Sequence, residues 1–195
     1  MHRGLRVNFL RYNGTMLNIE AALYAFLFGF VPILIWLTFW LFEDSRHPEP
    51  RALLARAFLA GMVVVALVIP LQKLTAEYMA FGFPLILSWA AIEELLKFLV
   101  VWLVVLRHKA VDEPLDLPIY LITAALGFAA LENTLFLITP FASGQFEQSL
   151  ITGNLRFIGA TLIHVLSSAT IGAALAFAHG FKSLKDLNVP RRILG

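Results

Sequence analysis

Glu93 and Glu94 stand side by side in the middle of an apolar run from Phe81 to Leu106, with Lys97 four residues after the first of them. A second adjacent pair, Glu132 and Asn133, interrupts the run Leu117 to Thr139. In a third run His164 is followed one helical turn later by Ser168 and preceded, eight residues earlier, by Arg156. A charged side chain at the centre of a membrane-spanning helix costs roughly 3 kcal/mol on insertion scales, so ionisable groups at that depth are candidates for function by default. Carboxylates, an amide and an imidazole are also the groups that activate a water, hold an oxyanion and return a proton to a leaving amine.

The composition says what must carry these groups. Hydrophobic residues make up 59% of the 195 positions and charged residues 14%, and the mean hydropathy is +0.80. That is too apolar for a soluble domain with a polar surface, and it points to a polytopic membrane protein. The apolar runs are continuous, whereas a β-barrel strand alternates, so an all-α fold, a polytopic transmembrane helical bundle of about five spanning helices, is expected. The expected spans are about residues 19–42, 52–71, 81–106, 117–139 and 156–179. They form a single transmembrane domain, 19–179, between an N-terminal tail, 1–18, and a C-terminal cytoplasmic tail, 180–195.

Several classes drop out. The formal charge of +2 is spread over tails and loops without aromatic interleaving, so no nucleic-acid partner is expected. The absence of cysteine excludes disulfides, thiolate metal sites and a cysteine nucleophile. Arg3, Arg6 and Arg11 precede no small-residue processing site, so the first residues are not read as a cleaved signal peptide.

Orientation follows from the short connections, because Lys and Arg accumulate on the cytoplasmic side. Arg46, Arg51 and Arg56 follow span one, Arg107 and Lys109 follow span three, and Lys182, Lys185, Arg191 and Arg192 lie in the tail. In a five-span bundle these segments share one face. The expected arrangement is therefore N-terminus outside and C-terminus cytoplasmic, against the vote of Arg3, Arg6 and Arg11. The lipid bilayer is the immediate partner, and a prokaryotic cytoplasmic membrane is the expected location.

Depth brings the polar residues together. At 1.5 Å per residue, Glu132 and Asn133 lie about 10 to 12 Å from the span end at Thr139, and His164 lies as far from Arg156 on the same side. Glu93 and Glu94 fall slightly deeper in the outer half. Arg156, Ala160, His164, Ser168, Gly172 and Ala176 recur every four residues along one ridge, whose small members permit close helix approach. Adjacent glutamates point about 100° apart, so one of Glu93 and Glu94 can face the pocket while the other supports it.

Each feature alone has a purely structural reading. Glu93 and Lys97 at i, i+4 can be a neutralised pair joining helices, Glu132 and Asn133 can be interhelical hydrogen-bonding glue, and His164 can simply pack against Ser168. Their convergence at one depth favours a functional pocket. His2, His47, His108 and His179 lie at or beyond span ends and are read as interfacial, and Arg56 as a snorkelling anchor.

These elements resemble the PrsW family of intramembrane proteases, relatives of the type II CAAX prenyl endopeptidase and bacteriocin-processing superfamily. The matching features are Glu93-Glu94-x-x-Lys97; Gly127-Phe128-Ala129-Ala130-x-Glu132-Asn133; and Arg156 followed by His164-x-x-x-Ser168-x-x-x-Gly172. The segment Pro48-Glu49-Pro50 leading into Ala57-Phe58-x-x-Gly61 also looks like the family's first loop. Two positions depart from the family pattern. Phe136 stands where an aromatic hydroxyl residue is common, and Leu117 follows Asp116 where the family often has glycine.

The resemblance implies an intramembrane endopeptidase acting on a transmembrane protein substrate, such as a single-span anti-sigma factor. In that reading Glu93 activates the water, with Glu94 orienting it or sharing the proton; relatives, not spacing, choose between them. His164 and Asn133 polarise the carbonyl or hold the oxyanion, Glu132 fixes His164, and Lys97 tunes Glu93, with Ser168 and Arg156 in support. No cofactor is favoured. A zinc ion held by Glu93, Glu94, Glu132 and His164 is the metal variant, although the chain lacks His-Glu-x-x-His. Two other classes stay open: a proton- or ion-coupled membrane transporter, and a non-catalytic membrane scaffold.

Overall fold

Glycines decide which helices meet. A β-carbon on Gly61 would fall on the carbonyl oxygen of Ala124, and one on Gly127 would fall on the carbonyl oxygen of Phe58. A β-carbon on Gly29 would come within 2.6 Å of Thr134, and one on Gly172 within 2.4 Å of Pro118. Three helices therefore approach a fourth backbone to backbone, as small residues allow in membrane bundles.

The computed structural model describes residues 19–43 and 49–186. Its helices are α1 (Ile19–Glu43), α2 (Arg51–Tyr78), α3 (Phe83–Val101), α4 (Asp116–Ala142), α5 (Phe146–Leu155) and α6 (Thr161–Asp186). Two π turns, Trp102–Leu106 and Arg156–Ala160, extend α3 and join α5 to α6. Among the described residues there is no strand. Arg3, Arg6, Arg11, Arg46, Arg191 and Arg192 of the orientation argument, with His2 and His47, lie outside the described residues, as do the side chains of His179, Lys182 and Lys185.

α4 is the axis of the bundle. Tyr120, Ala124, Ala125, Leu126, Ala129, Ala130 and Leu137 are completely buried in it, enclosed by α1, α2 and α6. Four helical segments are apolar and long enough to cross a membrane: Ile19–Phe39, Arg51–Tyr78, Asp116–Ala142 and Phe146–Ala178. α3 and its π turn, about 36 Å long together, have the length as well but carry Glu93, Glu94 and Lys97. Its apolar residues Ile92, Leu96 and Val100 pack on Val64, Val65 and Val68 of α2 and on Phe128 of α4.

Two helix limits differ from the expected spans. α2 does not stop at Leu71 but runs through Pro70 to Tyr78, since a proline deletes one backbone donor and neighbouring helices tolerate the resulting gap. The last span likewise begins at Phe146, ten residues before Arg156, and Arg156 opens the π turn rather than the helix.

Candidate active site

The positions that sequence depth grouped together do meet, where α2, α3, α4 and α6 converge. Both oxygens of Glu94 are occupied. Its Oε1 accepts from Lys97 Nζ at 2.6 Å and from Ser167 Oγ at 2.8 Å, and its Oε2 accepts from Ser168 Oγ at 2.7 Å. Glu93 is held differently. Gln72 Nε2 donates to its Oε1 at 2.8 Å, while its Oε2 lies 3.7 Å from His164 Nδ1, beyond hydrogen-bond length.

Lys97 corrects one expectation. Its ion-pair partner is Glu94 at i, i+3, not Glu93 at i, i+4. Only 1% exposed, it also lies 3.1 Å from His164 Nδ1 and 4.4 Å above the Phe128 ring. α6 lies on the Glu94 side: Ser167 and Ser168 donate to that carboxylate, and the ammonium sits between it and Nδ1 of His164.

On the far side of the imidazole, His164 Nε2 lies 3.2 Å from Glu132 Oε2, the oxygen that also receives Arg156 Nη2. Arg156 Nε donates to Asn133 Oδ1 at 2.8 Å, and its guanidinium stacks 3.8 Å from the Phe136 ring. The ring at the position where the family often carries an aromatic hydroxyl thus serves here as a platform for Arg156.

The π turn explains how Arg156 and His164 reach one oxygen. In an unbroken α-helix eight residues leave a side chain about 80° round from the starting one. A π turn holds one residue more than an α turn and cancels most of that offset. The carbonyl of Arg156 receives the backbone N–H of Thr161 and, at 3.2 Å, its hydroxyl. Asn133 Nδ2 donates to the same hydroxyl at 3.2 Å. Asn133 is therefore tied at both ends to the π turn, which makes it a brace for Arg156.

Sequence reading missed Gln72, Ser167 and Thr161, and gave Phe128 no role beyond its place in a motif. Gln72 fell outside the span expected to end at Leu71; a lone amide continuing an apolar helix was the signal for it. Ser167 was hidden by its neighbour Ser168, and the π turn that gives Thr161 its role has no sequence signature. α1 packs on the far end of α4, where the rings of Tyr24 and Phe28 meet Phe141.

A helical membrane bundle with carboxylates, an imidazole, an ammonium and a guanidinium gathered at its crossing point defines a polytopic membrane protein with an internal polar site. Residues 49–193 match the family model described as PrsW family intramembrane metalloprotease, and the chain belongs to the PrsW family. A protein named Protease PrsW from Geobacillus kaustophilus is 34% identical over 126 residues, 63% of this chain and 56% of that protein. Those of Bacillus subtilis, at 30% over 126 residues, and Clostridioides difficile, at 30% over 154, cover 63% and 75% of this chain and 58% and 63% of their own length. The chain thus spans about three fifths of the curated relatives it matches. No solved structure matches it.

The family description raises the question of a metal, and the donors answer it geometrically. Glu93 faces Nδ1 of His164 and Glu132 faces Nε2, so an ion bound through either ring nitrogen has only one of these carboxylates beside it. The Nδ1 side also holds the Lys97 ammonium, a like charge to any cation. Glu94 is saturated and Glu132 is paired with Arg156. Among the described residues no group of three or more His, Asp or Glu side chains is arranged to hold a metal ion. The residues present do not fit a zinc site in this arrangement.

Proposed function

We propose that this chain is an intramembrane endopeptidase that hydrolyses a peptide bond of a transmembrane protein with a glutamate-activated water and no metal. One observation supports this reading above the others. Of the three half-buried glutamates, Glu94 and Glu132 are each paired with a cation, whereas Glu93 is held by a neutral amide and keeps one oxygen beside the imidazole. A carboxylate positioned but not neutralised is the one suited to act as general base.

Glu93 Oε2 takes a proton from the water, and the resulting hydroxide adds to the peptide carbonyl carbon. The carbonyl electrons move to oxygen, and that oxyanion is held by the donors that in the resting site converge on Glu132 Oε2: the Arg156 guanidinium and the Nε2 side of His164. Collapse breaks the C–N bond while Glu93 returns its proton to the amine. Asn133 acts by bracing Arg156, and Lys97 by holding Glu94 and His164. Oxyanion binding through Arg156 replaces the direct role expected for Asn133, whose amide is already engaged.

Counting from helix ends at Phe83 and Ala142, Glu93 and Glu132 lie about 15 Å from the face that carries the α2–α3 and α4–α5 connections. The opposite face carries Arg51, Arg107 and Lys109, so we place the C-terminus in the cytoplasm and the scissile bond in the outer half of a prokaryotic cytoplasmic membrane. A single-span protein of the anti-sigma-factor kind is the substrate class the family resemblance suggests. The test is cleavage of single-span substrates in proteoliposomes by the wild type and by Glu93→Gln, Glu94→Gln and His164→Ala, with and without chelator. Cleavage that survives Glu93→Gln, or that needs an imposed ion gradient, contradicts the proposal.

A further inference from the structure

We propose that Lys97 is a positioning residue that fixes the tautomer of His164, leaving the ring bare at Nδ1 and protonated at Nε2. An ammonium has three donors and no acceptor, so a nitrogen 3.1 Å from it must offer a lone pair. Lys97 Nζ is an ammonium because it forms a 2.6 Å ion pair with Glu94, itself held as an acceptor by Ser167 and Ser168. The ring must therefore carry its single proton on Nε2, which donates to Glu132 Oε2 at 3.2 Å.

Three further contacts surround the ring. Phe128, whose face receives the Lys97 ammonium at 4.4 Å, meets the imidazole edge to face at 5.0 Å. Glu93 Oε2 at 3.7 Å makes no hydrogen bond to Nδ1, so it does not compete for a proton there. Arg156 reaches the same oxygen of Glu132 as Nε2 does, which sets two donors on one acceptor.

The consequence rests on the protease reading above: His164 is a donor toward the oxyanion and is excluded as a base, so proton abstraction falls to Glu93 alone. Adding a proton at Nδ1 would require expelling Lys97, and that in turn would leave Glu94 without its cation.

The experiment is nitrogen-15 solid-state NMR of histidine-labelled protein in bilayers, with the His164 signals identified by their loss in His164→Gln. Wild type is expected to show one bare and one protonated ring nitrogen, with the proton on Nε2. Lys97→Arg should keep that pattern, and Lys97→Met should shift intensity to the Nδ1-protonated form or to a mixture. An Nδ1-protonated ring or an imidazolium in wild type overturns the proposal, as does an unchanged spectrum in Lys97→Met. Where Lys97→Met does not fold, the wild-type spectrum still tests the tautomer itself. The readout is independent of catalysis: an Nε2–H ring in a protein whose Glu93→Gln variant still cleaves would sink the protease mechanism and leave the tautomer assignment standing.

Discussion

Gln72 donates a 2.8 Å hydrogen bond to Oε1 of Glu93 across the α2–α3 interface, and so fixes which of the two carboxylate oxygens faces His164. The α2 backbone at this point is tied to α3 as well, because the Trp89 indole N–H reaches the main-chain carbonyl of Gln72 at 3.2 Å and Thr75 Oγ1 at 3.0 Å. A hydrogen bond to a charged group contributes about 1.5–3 kcal/mol. Gln72→Leu should therefore lower kcat on the order of ten- to a hundredfold with KM little changed. Gln72→Asn, too short to reach, should fall near Gln72→Leu. Steady-state cleavage in proteoliposomes checks this; an unaltered kcat in both variants would remove Gln72 from the site.

Glu94 and Glu93 should separate in stability. Removing the charge of Glu94 leaves Lys97, at 1% exposure, without its ionic partner. Breaking a buried pair in this way costs about 3–5 kcal/mol. Glu94→Gln should thus show a clearly lowered unfolding temperature in detergent, whereas Glu93→Gln, which keeps a neutral partner for Gln72, should unfold near wild type. Equal stabilities would show that the Lys97–Glu94 pair matters less than its geometry suggests.

The helix crossings are sensitive to single methyl groups. In Gly127→Ala the added carbon meets the Phe58 carbonyl oxygen, so backbone and not a flexible side chain must move. Overpacking of this kind costs about 1–3 kcal/mol. The expected result is a lowered unfolding temperature for Gly127→Ala and for Gly61→Ala. Gly159→Ala, which meets nothing within 4 Å, should behave as wild type and serves as the control.

Chelator should leave cleavage unchanged, since Glu93 and Glu132 address opposite nitrogens of His164 and the Lys97 ammonium stands beside the nitrogen that Glu93 faces. Activity lost on metal removal and restored by stoichiometric zinc would overturn the metal-free mechanism.

The bundle and its polar centre were legible in the sequence because membrane burial leaves few charged residues and each can be assigned a depth by counting. Glu93, Glu94, Glu132 and His164 were gathered on that basis and do meet. Partner choice was not legible. Lys97 is within reach of both glutamates along α3, and only the polar atoms of α6, a separate helix, select Glu94. Gln72 escaped because the expected span stopped at Leu71, whereas the helix runs on through Pro70 to Tyr78. The alignment of Arg156 with His164 depends on a π turn, which no spacing rule registers. Asn133 was placed at the right depth, yet its role differs from the expected one because its partners belong to that turn.

The central claim is that Glu93, not Glu94, is the general base. The most direct measurement is the cleavage rate of a single-span substrate in proteoliposomes by Glu93→Gln set beside its unfolding temperature. Loss of a positioned base should lower the rate by about a hundred- to ten-thousandfold while the unfolding temperature stays near that of wild type. Near-normal cleavage by a folded Glu93→Gln protein would contradict the account.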